Sequence, residues 1–323
     1  MMYLAVFLVL FVLELIYFKI ADRFNIIDKP NHRSSHTQIT LRGGGIIFPI
    51  AFVLYFVLSA AYRKDYFLPE DYWSFGLGLF LLSTISFLDD ILDLSSKLRL
   101  LFHFVAVTLL IYFLGLFTSA PIWFIPLVYI FVIGVLNAYN FMNGITGVYS
   151  LVMLLTFYYI NQYGVTFTDA HFIIYPILAS LVFLFFNFRK RAKCFAGDVG
   201  SMSIAFWVLA LLGLLMVKTE DFTYLLFIAV YGIEVISTIL QRIKLKENIF
   251  EAHRHHLYQL LVNQMKWSHL LVATLYGGVQ LLINACVIKF GLNFWEGTLY
   301  LILPTFIIYI YSKYYIYKKT GAY

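Results

Sequence analysis

Two acidic segments carry the side chains best suited to chemistry. Phe87-Leu88-Asp89-Asp90-Ile91-Leu92-Asp93 closes an apolar run. On a helix, Asp89 and Asp93 are four residues apart and Asp90 and Asp93 three, so these carboxylates share a face. Packing like charges there is unfavourable through repulsion and desolvation. A divalent cation removes that cost, and Mg²⁺ is commonly held by one or two carboxylates together with substrate phosphates. The second segment, Phe195-Ala196-Gly197-Asp198-Val199-Gly200-Ser201, opens another apolar run. Its glycines let backbone approach a ligand, free N–H groups at a helix start attract anions, and Asp198 would complete a metal site. An ordinary helix-opening turn explains the same pattern.

Three further segments are polar where the chain around them is not. Ser34-Ser35-His36 precedes Thr40-Leu41-Arg42-Gly43-Gly44-Gly45. A glycine triplet opening a membrane helix serves either tight helix packing or a phosphate-cradling turn. Asn137 and Asn140 lie three apart on one helix face, and Asn143-Gly144 follows. Buried amides need partners, here either neighbouring loops or a nucleotide. Glu251-Ala252-His253-Arg254-His255-His256-Leu257 clusters histidines around an arginine; with Arg254 between them an anion site is favoured over zinc, which would want Cys or acidic ligands nearby. Glu234 falls inside an apolar run, where an acid has a functional or paired role. Glu14 has the same status in a weaker context, with snorkelling as the alternative.

Composition says what must position these groups. Of 323 residues, 62% are hydrophobic and 12% charged, with mean hydropathy +0.84. A soluble domain carries roughly twice that share of charge, so most of the surface must face lipid. Apolar runs near the ~20 residues that span a bilayer recur. They cover 2–19, 44–62, 72–88, 100–117, 121–139, 147–163, 171–188, 201–217, 222–240, 268–288 and 295–312. The expected fold is therefore an all-α polytopic membrane protein of about 10–11 transmembrane helices, a single domain over 1–323 with a cytosolic active-site cleft. The start lacks a basic region and a cleavage site, and reads as the first span rather than a signal peptide. Cys194 and Cys286 make no disulfide scaffold.

Basic residues set the expected topology. Alternation from a cytosolic loop 20–43 places 19 of the 23 Lys and Arg inside and leaves Arg63, Lys64, Lys218 and Lys289 outside. The N-terminus is then outside and the C-terminus cytosolic. Loops 20–43, 89–99, 140–146, 189–200 and 241–267 share the cytosolic face, and every segment named above lies on or beside them.

In this order and on one face, the segments resemble the polyprenyl-phosphate N-acetylhexosamine-1-phosphate transferases. That family includes undecaprenyl-phosphate GlcNAc-1-phosphate transferases and phospho-MurNAc-pentapeptide translocases. The match runs from Asp28-Lys29-Pro30 through the glycine triplet, the Asp-Asp, Asn-x-x-Asn and Gly-Asp-Val-Gly-Ser segments, to His-Arg-His-His-Leu-Tyr. The last form is closer to enzymes that start O-antigen, lipopolysaccharide and capsule synthesis. The resemblance implies a UDP-N-acetylamino sugar giving its sugar 1-phosphate to undecaprenyl phosphate, with release of UMP, in a bacterial inner membrane. It implies Mg²⁺, or Mn²⁺ in its place, bound by Asp198 with Asp89 and Asp90 beside it, and Asp89 acting on the lipid phosphate. His253, Arg254 and His256 would hold phosphates, Phe195 would stack on uracil, and His36, Asn137, Asn140 and Asn143 would bind substrate. Membrane lipid and a second copy of the chain are the other implied partners; nucleic acid is not.

One segment departs from the family. The usual Asn-x-x-Asn-x-x-Asp-Gly-x-Asp/Asn-Gly is here Asn140-Phe141-Met142-Asn143-Gly144-Ile145-Thr146-Gly147. Aligned without a gap, Asn143 and Thr146 replace the acids; alternatively an Asp-Gly-Ile triplet has been lost. Either alignment removes a carboxylate, so restoring Asp at 143 or reinserting the triplet is expected to raise turnover. A catalytically impaired relative, and a transporter or lipid flippase suggested by Glu234, are the rival readings.

Overall fold

A computed structural model describes residues 1–28, 39–62, 72–92, 94–248 and 254–320. The chain divides into two compact units. The described residues of the first lie within Met1–Asp28 and Thr40–Glu220, and those of the second, Ile39 apart, within Asp221–Tyr323.

In the first unit the helices are α1 Met2–Arg23, α2 Ile47–Tyr62, α3 Tyr72–Leu92, α4 Ser96–Phe113, α5 Leu116–Ser119, α6 Ile125–Phe141, α7 Thr146–Tyr163, α8 Ala170–Asn187 and α9 Gly197–Thr219. The second holds α10 Ala229–Lys244, α11 Leu257–Asn263, α12 His269–Phe290, α13 Phe294–Gly297 and α14 Leu303–Thr320. Two short strands, β1 Ile27–Asp28 and β2 Thr40–Leu41, pair antiparallel with Ile27 opposite Leu41.

Ten helical stretches among the described residues are long and apolar enough to cross a membrane. The protein is thus all-α and polytopic. The run expected at 147–163 forms a helix, α7, but Thr146, Asn161 and Gln162 make it less apolar than the other ten.

Lipid-facing helices need only one packed face, and α9 is the exception. It is buried along most of its length, from Gly197 to Leu215, because apolar and small residues line it on every side. Helices α3, α6 and α7 pack against it, and α3 also packs on α4. Rings from α2, α3, α8 and α9 interlock at Phe52, Phe75, Phe172 and Trp207. Buried indole N–H groups need an acceptor; Trp207 donates to the Phe172 carbonyl at 3.0 Å. The N-terminus of α9 is thereby held rigidly against the ends of α3 and α6.

Candidate active site

The site begins with backbone. Leu41 bridges Cys194 in parallel fashion, Phe195 N–H donates to the Leu41 carbonyl at 2.8 Å, and Gly44 and Gly45 N–H donate to the Phe195 and Ala196 carbonyls. These bonds fasten the glycine triplet to the loop that opens α9. Contact is so close that a Cβ on Gly45 would lie 2.1 Å from the Cα of Gly200. Of the two roles open to the triplet, tight packing is the one that the structure displays. Gly43 and Gly197 have φ of +81° and +70°, where a side chain is strained.

On this floor, two carboxylates meet. Asp90, its side chain fully buried, accepts the N–H groups of Asp198 and Val199 at 3.0 and 3.3 Å. It thus caps the start of α9 from the end of α3, where a negative charge opposes the helix dipole favourably. Arg42 donates from Nε to Asp90 at 2.8 Å and reaches Asp198 with a second nitrogen at 3.5 Å. Burial opposes charge on this guanidinium, but Asp90, Asp198 and Asp28 outweigh it and hold its pKa above the usual value. Asp198 is the more open acid, its side chain 16% exposed. Asn140 donates to its Oδ2 at 3.0 Å, and Ser201 donates to the Asn140 carbonyl oxygen at 3.0 Å, which fixes the orientation of the amide.

Asp89 lies apart from this pair in its bonding. Arg99 donates to Oδ2 at 2.6 Å and Leu94 N–H to Oδ1 at 2.7 Å, so both oxygens are engaged within the α3–α4 turn. Adjacent residues on a helix point about 100° apart, which sends Asp89 to Arg99 and Asp90 to α9. Asp89 thus organises the α3–α4 turn, and Asp90 the start of α9. No group of three or more His, Cys, Asp or Glu residues converges as a ready-made metal cage among the described residues.

The asparagines separate. Asn140 reaches Asp198, whereas Asn137 bonds back onto its own helix at the Ile133 carbonyl, 2.9 Å away. Asn143 donates to the Gly197 carbonyl at 3.1 Å and helps pin the loop before Asp198. A carboxylate cannot donate there and would add a negative charge near Asp90 and Asp198. We therefore expect Asn143→Asp to lower turnover and thermal stability, the reverse of the expectation from the family pattern. The lost bond is worth about 1–3 kcal/mol, read as a fall in melting temperature of the purified protein. An unchanged melting temperature with higher turnover would overturn this.

Phe195 is half-buried and has both backbone groups engaged by Leu41 and Gly44. Behind it, Glu14 is fully buried, not snorkelling, and accepts a weak bond from the Cys194 thiol at 3.8 Å. Burial first, and Glu14 second, push the Cys194 thiol well above its ordinary pKa, so it stays protonated and unreactive.

The second unit holds the histidine segment from Arg254 onward. His256 is buried, with Nδ1 3.2 Å from the Glu234 carboxylate. His255 bridges Glu247 and the Tyr317 hydroxyl, each at 3.0 Å. Arg254 Nε is buried with no hydrogen-bond partner among the described residues, a donor suited to an anion. His36, Asp93 and His253 lie outside the described residues.

Two residues of the site have partners that the sequence does not assign. Arg42 stands in the glycine segment and Arg99 follows the acidic one, where it could serve phosphates or topology, and nothing in their spacing ties them to Asp90 or Asp89. The family's own sequence signature adds what geometry lacks. The sequence model of glycosyl transferase family 4 matches residues 72–218, from α3 to the end of α9. Over this segment the chain is similar to glycosyl transferase family 4. This is the family that the motifs resemble, and the matched segment contains Asp89, Asp90, Asn140, Asn143 and Asp198. Similar proteins extend the likeness. A Bacillus subtilis protein named "Probable undecaprenyl-phosphate N-acetylglucosaminyl 1-phosphate transferase" is 28% identical over 76% of this chain and 72% of its own length. The Thermotoga maritima undecaprenyl-phosphate alpha-N-acetylglucosaminyl 1-phosphate transferase is 23% identical over 90% of each chain. The phospho-N-acetylmuramoyl-pentapeptide-transferase of Thermotoga neapolitana is 28% identical over 68% of this chain and 75% of the relative.

Proposed function

We propose that this protein transfers an N-acetylamino-sugar 1-phosphate from a UDP-sugar to undecaprenyl phosphate at the cytosolic face of a bacterial inner membrane. A lipid phosphate oxygen attacks the phosphorus attached to the sugar, the bond to UMP breaks, and UMP leaves. A lipid-linked sugar diphosphate results, the starting unit of an envelope glycan such as an O-antigen or capsule. The names of the relatives support the acceptor and the reaction type.

The observation that carries the reading is the Asp90–Arg42–Asp198–Asn140 cluster at the start of α9. Joining two anions is opposed by their repulsion, so fixed positive charge is the main catalytic requirement. Arg42 contributes one cation, but Asp90 caps the α9 N-terminus and the two carboxylates outnumber the guanidinium, so the remaining positive charge would have to come from a bound cation. Asp198 fits a Mg²⁺ site: it is the most open acid of the cluster, and a single carboxylate completed by substrate phosphates suffices for this ion. When bound, Mg²⁺ would screen the phosphate charges. A phosphate monoester, with a second pKa of about 6, is already ionised at neutral pH, so no dedicated base is required.

Glu234, the one hint of a transporter, is held by donors on every side and behaves as an anchor rather than an ion-coupling acid. The deciding assay uses membranes from an expressing strain with undecaprenyl phosphate, Mg²⁺ and a panel of UDP-sugars, scored by UMP release. One N-acetylamino sugar is expected to give Mg²⁺-dependent UMP and a lipid-linked product. Absence of both with every donor would refute the reading.

A further inference from the structure

Glu234 sits in mid-span on α10, fully buried, in the half of the molecule that glycosyl transferase family 4 does not match. Burying a carboxylate costs several kcal/mol, and apolar packing of equal volume would stabilise the fold as well or better. Its surroundings explain its presence. Oε1 accepts the Leu257 N–H at 2.6 Å, the Tyr309 hydroxyl at 3.0 Å and His256 Nδ1 at 3.2 Å, while Oε2 accepts the Tyr276 hydroxyl. These donors come from the start of α11, from α12 and from α14. Lys313, one turn beyond Tyr309, donates to Thr238 at 3.0 Å and to the Tyr309 hydroxyl at 3.4 Å, which closes the network. Tyr258 lies against the His256 ring, centroids 5.9 Å apart and planes inclined by 29°.

The bonds converge on one joint. His256 is the N-cap of α11, and Leu257 is its first residue, so one oxygen of Glu234 holds both the ring and the backbone where the histidine segment enters the helix. A carboxylate accepts and cannot donate, so the ring hydrogen facing it must sit on Nδ1. That selects one tautomer and one ring plane, the task carboxylates perform behind histidines in metal and catalytic sites.

We propose that Glu234 is a positioning residue: it fixes the tautomer and ring plane of His256 and so sets Arg254 and His256 in one arrangement for an anionic phosphate group. This rests on the reaction assigned under Proposed function. Substrate never touches Glu234; its effect passes through His256.

The test compares Glu234→Gln, Glu234→Asp and wild type in the full-length protein. Gln keeps the shape and an acceptor for Leu257 N–H, so melting temperature monitors folding separately. In ¹⁵N-histidine NMR, with His256 assigned by loss of its signal in His256→Gln, wild type is expected to show hydrogen on Nδ1. Glu234→Gln should show a mixture of tautomers and Glu234→Asp a return toward wild type. KM for the UDP-sugar is expected to rise about tenfold in Glu234→Gln with kcat changed by less than about threefold. An unchanged tautomer in Glu234→Gln overturns the inference, as does an unchanged KM beside a shifted tautomer. If wild type shows no turnover with any donor, the reaction has failed and inorganic diphosphate replaces it as the probe. Diphosphate shifting the His256 signal less in Glu234→Gln supports the positioning role, and equal shifts overturn it.

Discussion

Asp198→Asn is expected to reduce Mg²⁺-dependent UMP release by about 10³-fold or more, equivalent to about 4 kcal/mol of transition-state stabilisation. The substitution is almost isosteric. The Asn140 amide can still donate to the side-chain oxygen, and Asp90 still receives the Asp198 and Val199 N–H groups, so the start of α9 keeps its place. What disappears is the negative charge that Arg42 faces at 3.5 Å and that a divalent ion would require. Melting temperature should therefore move little while turnover collapses. The same change at Asp90 is a useful contrast. Asp90 is fully enclosed and holds Arg42 and two N–H groups, so Asp90→Asn should lower both melting temperature and turnover. Retained activity in Asp198→Asn would remove Asp198 from the reaction and with it the metal assignment.

Gly45→Ala is the second large effect, and it works through geometry alone. The added methyl would meet the Gly200 Cα at 2.1 Å and the Ala196 carbonyl oxygen at 2.8 Å, both backbone atoms that cannot rotate away. Relief requires the triplet and α9 to separate, which breaks the Gly44 and Gly45 bonds to Phe195 and Ala196. Overpacking of this kind costs about 1–3 kcal/mol or more. Displacement by about 1 Å of a positioned group costs about 10²-fold in rate. The expected result is a clear fall in melting temperature together with loss of UMP release. Gly134→Ala is the control, since nothing lies within 4 Å of a Cβ there and alanine favours the helix. Equal behaviour of the two variants would show that the close contact is unimportant.

Residue type and period alone determined the membrane class, the positions of ten spans and the acidic segments at their ends. Hydropathy over ~20 residues is a local property, and no packing partner is needed to read it. The family was legible for the same reason: short motifs keep their order along the chain whatever the folding partners are. The expected turn at Gly197 and the acid after it also follow from local backbone chemistry.

Which side chains meet was decided by tertiary structure. Asp89 and Asp90 are neighbours in sequence with the same charge, and only the placement of α4 and α9 sends one to Arg99 and the other to Asp198. Arg42 lies 48 residues before Asp90 in the chain yet forms its closest cation contact at 2.8 Å, a separation that no motif encodes. Asn143 stands where the family pattern has an acid, and only the fold shows that its amide donates to the Gly197 carbonyl. Glu234 reads in sequence as an intramembrane acid with a functional or paired role, and four donors from α11, its N-cap, α12 and α14 enclose it. In each case a polar group in an apolar surrounding must find a partner, and the identity of that partner depends on which helices pack together.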